Sequence, residues 1–400
     1  MDPAQFKRHF PALAGDKILY LDNATVNPLP SPVVKQVTQF LELNHYFPNK
    51  GMHNLTIEST QLHTRAKRQL GEFLAIPHMF YEFPPNVTIA LANLILGTPF
   101  QPGDALLLTA SANHSLLGPV LQLAEKLHYS LMICPLDREG QADLGKFEEI
   151  LKTKAVKLAI WPVLPVGTGI IQESRLLIEL TRQYGVTSVV DLTRALGHVP
   201  SQFPKIPPDV VLCNGWTGLY APQGAAFAGI DEPLLQRFTT SIVGEGDISE
   251  ASWTHLTPRS NSGRMEAGDL NMGAVAGLDA GLAFLRQNSI GECITYEQGL
   301  LTELVDQLRE IPRCHIVGAQ EAKRSLLVSF SIKGMDAHDI GMYLNELHHT
   351  TVRTGQLCSQ PLLTDLGEQN VVQVSVAPFV SAEEIRDFAR NLKEIVAELG

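Results

Sequence analysis

Short apolar runs recur along the first two thirds of the chain: ALLLTA (105–110), SLMICPL (130–136), VKLAIWPVL (156–164), TSVVDLT (187–193), DVVLCN (209–214) and AAFAGI (225–230). None shows the strict alternation of a half-exposed strand, so they read as strands buried on both faces. Between the first four lie amphipathic stretches, LLGPVLQLAEKL, DLGKFEEILKT and SRLLIELTRQYG, the last stopped by Gly185. Repeated βα units predict an α/β fold with a mostly parallel, helix-covered sheet. After about residue 260 the pattern changes to a long helix over roughly 273–290, a strand SLLVSFSI, a helix HDIGMYLNEL, strands TTVRTG and VVQVSVAP, and a closing helix from Ser381. Ser381 and Glu384 have capping-box spacing. The boundaries expected are an N-terminal segment 1–18 packing on the small domain, a large α/β domain 19–260, and a small C-terminal α+β domain 261–400.

Composition excludes several function classes. With 400 residues, 44% hydrophobic and 18% charged, the chain can bury more than one core. No apolar run approaches the roughly 18 residues needed to span a bilayer. The opening MDPAQFKRHFPALAGDK has no basic patch followed by an apolar core, so no secretory signal is expected. The five cysteines are odd in number and far apart, with no CxxC pair to suggest zinc or a disulfide framework. A cytoplasmic location fits that usage. The net charge of −11 argues against nucleic acid or an anionic membrane as partner.

Six segments carry a resemblance. YLDNATVNPLP (20–30), Asn113-His114, VDLTRALGHVP (190–200), CNGWTGLYAPQG (213–224), GRMEAGDLNMG (263–273) and VRTGQLCSQPL (352–362) follow one another as do the motifs of the class V aminotransferase and cysteine desulfurase family. The chain resembles these fold-type I pyridoxal-phosphate enzymes over nearly its whole length. That resemblance implies that His114 stacks on the cofactor ring, that Asp191 pairs with the pyridinium nitrogen, that Thr88 belongs to the phosphate turn, and that Cys358 is the persulfide-forming cysteine. It also implies a homodimer with active sites at the subunit boundary, and a sulfur-transfer or iron-sulfur assembly protein as partner.

The departures from the family pattern are as specific as the matches. Thr217 stands where the resemblance places the Schiff-base lysine, and a hydroxyl cannot form a stable imine. The nearest lysine in sequence, Lys205, precedes the strand ending at Asn214 and is poorly placed. Trp216 replaces the histidine of the same motif, and Asp269 falls where a threonine would cross to the partner's phosphate. Two negative charges a few ångströms apart in a desolvated site repel by several kcal/mol on order of magnitude. Gln373 occupies the position of the arginine that would clamp the substrate carboxylate, while Arg194 replaces a glutamine beside the cofactor and Pro165 an asparagine.

From these departures the expected protein is a cysteine-desulfurase-like pseudoenzyme that binds no cofactor and serves as sulfur carrier or scaffold through Cys358. Arg353 is a cation near that thiol, and Arg353 and Gln373 are the candidates on the substrate side. Without a ring to stack on, His114 is expected to pack as a core histidine. Arg194 is expected to enter the vacated cofactor position and pair with Asp191 or Asp269, with Trp216 filling part of the phosphate cup. Two alternatives stay open: an active class V enzyme holding pyridoxal phosphate without a covalent bond, and a binding protein for an unrelated small ligand. Cys134, Cys213, Cys293 and Cys314 read as packing residues.

Overall fold

The computed structural model describes residues 1–15, 18–200, 206–237, 242–245, 248–258 and 265–399. Lys205 and the first two residues of GRMEAGDLNMG therefore lie outside the described residues. In chain order the chain forms α1 (Pro3–Lys7), β1 (Leu19–Tyr20), α2 (Ser31–Leu43), α3 (Asn54–Leu74), β2 (Phe80–Glu82), α4 (Val87–Gly97), β3 (Asp104–Thr109), α5 (His114–Leu127), β4 (Ser130–Cys134), α6 (Leu144–Thr153), β5 (Ala155–Pro162), α7 (Ser174–Gln183), β6 (Thr187–Asp191), β7 (Val210–Asn214), β8 (Ala226–Ile230) and α8 (Glu232–Arg237). Then follow β9 (Ile248–Ala251), β10 (Leu256–Pro258), α9 (Met272–Gln287), α10 (Ile290–Arg309), β11 (Cys314–Ile316), β12 (Leu327–Ile332), α11 (Ala337–His348), β13 (Thr350–Thr351), β14 (Arg353–Gly355), α12 (Gln360–Asp365), β15 (Val371–Ser375) and α13 (Ala382–Leu399).

Seven strands make the main sheet in the order β2-β8-β7-β6-β5-β3-β4. Only β8 runs against its neighbours. Strands β3 and β8 are buried along their whole length, as their unbroken apolar runs predict. The parallel strands from β3 to β7 therefore deliver their C-terminal ends to one edge, where α/β folds collect functional groups. Helix starts are fixed by side-chain caps: Asn86 for α4, Asn113 for α5 and Asn271 for α9 each accept a backbone N–H of the first turn. The predicted capping box closes at α13, with Ser381 N donating to Glu384 at 2.7 Å and Glu384 N to Ser381 Oγ at 3.1 Å.

A second sheet, β11-β12-β15-β14, is antiparallel throughout. The run TTVRTG, expected as one strand, is split. Thr350 and Thr351 pair in parallel with Leu19 and Tyr20, while Arg353–Gly355 joins the second sheet beside β15. The N-terminal segment docks through an aromatic cluster in which Phe10 meets Phe379 at 4.9 Å, Tyr220 at 5.4 Å and Phe284 at 6.0 Å between ring centroids. Among the described residues no helix is long and apolar enough to cross a membrane.

One buried ion cluster holds the segment before α9 against the main sheet. Glu266, 8% exposed, takes Lys67 Nζ at 2.9 Å, the His63 ring at 3.1 Å and the Phe83 N–H at 2.9 Å. Burial alone would raise its carboxyl, but the Lys67 ammonium and the His63 ring outweigh it and bring the pKa down to about 2. A depressed carboxylate stabilises the fold above its unfolded pKa, and that contribution is lost as pH falls through the folded value. Glu266→Gln should therefore lower neutral-pH stability by on the order of 2–3 kcal/mol and remove the corresponding part of the acid-induced loss between about pH 4.5 and 2. Urea unfolding across that pH range checks it; an unchanged midpoint at neutral pH would show that the cluster is dispensable.

Candidate active site at the strand ends

Strand β6 ends at Asp191 and β7 at Asn214, and the turns that follow them touch. Asp191 is 4% exposed, with Oδ1 accepting from Thr193 N at 2.9 Å and from the Thr193 hydroxyl at 2.5 Å. Burial pushes its carboxyl upward, while the Thr193 donors and the charge of Arg194 oppose the shift. Among the described residues no lysine or arginine nitrogen lies within ion-pair distance of it. Thr193 Oγ1 in turn accepts from Asn214 N at 3.1 Å, so one hydroxyl ties the two strand ends together.

Thr217 is 1% exposed and its hydroxyl donates to the Thr193 carbonyl. It is held from behind as well. The His198 ring joins the Thr217 carbonyl at 3.0 Å and Glu297 at 2.7 Å. This contact requires the two turns to approach closely at Gly197 and Gly218, where an added Cβ would lie 2.3 Å from Gly218 O and 2.0 Å from Leu196 O, respectively. Position 217 thus presents no free nucleophile.

On the other side of the strand ends stand two helix N-termini. Asn214 Oδ1 accepts the Val87 N–H at 3.1 Å, which fixes the start of α4, with Thr88 half-buried in its first turn. His114, expected in the core, is exposed as the first residue of α5. The reason is the Asn113 cap: the helix begins at the strand-end edge, so its first side chain projects from the sheet layer instead of into it. Asp269, expected to repel a phosphate, is paired with Lys50 at 2.6 Å.

The second sheet supplies the opposite wall. Cys358 is exposed on the loop after β14, as that loop position predicts, and the other four cysteines are not. Burial pushes Cys134 and Cys314 up to about 12 and Cys293 up to about 11. Leu357 and Cys358 both adopt left-handed backbone angles, with φ of 54° at each. The conformation is held by Leu357, 3% exposed, and by the His114 N–H, which donates to the Cys358 carbonyl at 2.8 Å. Arg353 Nη2 lies 3.5 Å from Cys358 Sγ.

Two expectations fail on this wall. Arg194 makes no ion pair with Asp191 or Asp269; its Nε donates to Ala24 O at 3.2 Å. Ala24, whose N–H is anchored on Ser375 Oγ at 2.9 Å, presents the carbonyl that takes the guanidinium. Gln373 is fully buried and does not offer its amide to a substrate: Nε2 donates to Val166 O at 2.6 Å and to Ser329 Oγ at 3.1 Å. Trp216 is half-buried, and its carbonyl accepts the Asn27 N–H at 2.8 Å. Asp22 is a member that sequence reasoning quoted without assigning a role. It bridges to Ser375 on β15, its Oδ1 is buried without a hydrogen-bond partner, and it is electrostatically coupled to Arg353 and Arg194. The signal that could have found it is its place in YLDNATVNPLP, directly after β1.

The aminotransferase class-V family model matches residues 19–388. A probable cysteine desulfurase of Pyrococcus abyssi is 26% identical over 385 residues, covering 96% of this chain and 95% of its own length. The apo structure of a cysteine desulfurase from Thermococcus onnurineus superposes with a TM-score of 0.92 at 26% identity, covering 100% of this chain and 99% of the other. A further solved structure of the same fold, with a TM-score of 0.83 at 20% identity and covering 97% of this chain and 99% of its own, is a lysine-to-alanine variant with glycine covalently linked to its pyridoxal-phosphate cofactor. These likenesses overturn the expectation that no cofactor belongs to the site. The family model spans residues 19–388, and the named cysteine desulfurases cover 96–100% of the chain.

The Thr193 hydroxyl is the link between Asp191 and Asn214, so its removal should leave one buried carboxylate oxygen and one backbone N–H short of a partner. Thr193→Val is expected to cost about 1–3 kcal/mol of unfolding free energy. A chemical-denaturation midpoint indistinguishable from the parent protein would contradict that role.

Proposed function

The chain belongs to the aminotransferase class-V family, and on that premise we propose that it is a pyridoxal-phosphate protein of the cysteine-desulfurase type whose cofactor is held without a covalent bond from residue 217. The observation that carries this reading is Asp191. A desolvated carboxylate at the end of a buried strand, supported by hydroxyl and amide donors and by no paired cation, suits a positively charged ring nitrogen. Exposed His114 at the start of α5 would cover the ring face. The first turn of α4, with Thr88, would take the phosphate. The solved lysine-to-alanine variant with glycine linked to its cofactor supports the idea that this fold can retain pyridoxal phosphate in a lysine-altered chain.

When bound, pyridoxal phosphate supplies an electron sink for the substrate's α-carbon. The chain's own residues do the rest. Cys358 Sγ, exposed and held beside Arg353 Nη2, would attack the sulfur of cysteine, forming a persulfide as the Cβ–S bond breaks and its electron pair stays with the carbon skeleton, which takes a proton and leaves as alanine; the hydrogen bond from His114 N holds the Cys358 loop. The buried Thr217 hydroxyl, committed to Thr193 O, supplies neither an amine nor a mobile proton. Proton movement therefore falls to groups at the cleft mouth, of which His114 is one. A second copy of the chain and a sulfur-accepting protein belong to the same reading. The apolar side chains exposed along α2 and before α3, among them Leu41, Leu43 and Met52, offer a surface for the former.

Titration of the protein with pyridoxal phosphate, followed by absorbance and tryptophan fluorescence, tests the proposal. Saturable binding is expected. Asp191→Ala should weaken it on the order of tenfold or more, the loss of one charge-assisted contact, whereas Thr217→Ala should change it less than about threefold. Sulfide release from L-cysteine in the loaded protein should depend on Cys358. Failure to bind at millimolar cofactor would remove the proposal.

A further inference from the structure

Gln373 brings no positive charge to the cleft, and its amide nitrogen is spent on Val166 O and Ser329 Oγ while its Oε1 is buried without a partner. Two guanidinium groups stand nearby without a strong partner. Arg353 lies opposite Gln373 in the β14–β15 ladder, so the two side chains share a sheet face, and Gln373 shows that this face looks toward the large α/β layer. Arg194 approaches from that layer, anchored by Ala24 O. Ser375, two residues beyond Gln373 and on the same face, binds Ala24 N and Leu21 O, which brings Arg194 and Arg353 to one side of the cleft. No carboxylate lies within ion-pair distance of either arginine among the described residues. Asp191 is electrostatically coupled to Arg194, and Asp22 to both arginines, and burial disfavours the charge of each of these acids. Burial lowers Arg194 to about 10, which leaves it charged at neutral pH.

We propose that Arg194 and Arg353 together form an anion seat beside Cys358 that holds the α-carboxylate of an amino-acid substrate, taking over the task that Gln373 cannot perform. The occupant's identity rests on the function proposed above; the seat itself does not. Cys358 is an exposed thiol 3.5 Å from one of the two guanidinium groups, so its reaction with charged and neutral reagents reads the seat directly. Two half-buried arginines attract a carboxylate and raise its local concentration, and added salt weakens the attraction.

The test is alkylation of Cys358 by iodoacetate and by iodoacetamide, on the protein with no cofactor added, quantified by peptide mass analysis. The ratio of the two rates, compared with that of 2-mercaptoethanol, should favour iodoacetate on the order of tenfold at low ionic strength, within the range of electrostatic steering. Arg194→Gln should lower the ratio about threefold or more while leaving the iodoacetamide rate within about twofold, and Arg194→Lys should retain more of the preference. L-Alanine, but not L-alaninamide, should protect Cys358 from iodoacetate. A parent ratio equal to that of the free thiol, or a ratio unchanged by Arg194→Gln in a protein with unchanged circular dichroism, would overturn the proposal. Because no cofactor enters the measurement, failure to bind pyridoxal phosphate would leave this result standing, and the reverse also holds.

Discussion

A carboxylate kept at the end of a buried strand is unfavourable unless charge or donors compensate it, and the cleft is organised around that constraint at Asp191. Thr193 compensates one oxygen with two hydrogen bonds, and the same threonine then fastens Asn214 and receives the Thr217 hydroxyl. Three successive positions are thus linked through one residue, by its hydroxyl, its N–H and its carbonyl. The compensation is incomplete, because neutral donors offset only part of the desolvation and the carboxyl still shifts upward. In the proposed reading a cationic ring nitrogen would complete that compensation, which would connect the packing of β6 to the cofactor.

The opposite wall carries the opposite charge. The second sheet contributes Arg353 and the Cys358 loop, and the 22–25 segment positions Arg194. Burial is what separates Cys358 from the other cysteines. Cys134, Cys213 and Cys293 sit in the apolar layers that hold the sheet and helices together, where a thiolate is strongly disfavoured, while the left-handed turn at Leu357 and Cys358 lifts the fifth thiol out.

The central strands were legible because strands buried on both faces write long apolar runs; the parallel β3 and β5–β7 and the antiparallel β8 begin and end within two residues of those runs. The three-residue β2 was not legible, being too short to show a period, and α2, α3, α4 and α10 were not read. TTVRTG looks continuous in sequence, yet Val352 separates two pairings with different partners. At the site, Asp191 ends β6, Thr217 is buried in the turn after β7 and Cys358 is exposed on the loop after β14. The side-chain partners were beyond reach: the Asn113 cap exposes His114, Ala24 O captures Arg194, and Val166 O occupies Gln373. Reading the missing lysine as a missing cofactor was the larger error. A cofactor can also be held by charge, stacking and hydrogen bonds, which in the proposed reading would come from Asp191, His114 and the start of α4 and would not need residue 217.

That distinction can be read from mass alone. Protein incubated with pyridoxal phosphate and desalted should show, in native mass spectrometry, one added cofactor per chain, and the same sample treated with borohydride and then denatured should return to the mass of the bare chain. A borohydride-stable adduct mapped to a lysine would contradict a site built without a covalent anchor, and a native spectrum with no added mass would contradict the cofactor itself.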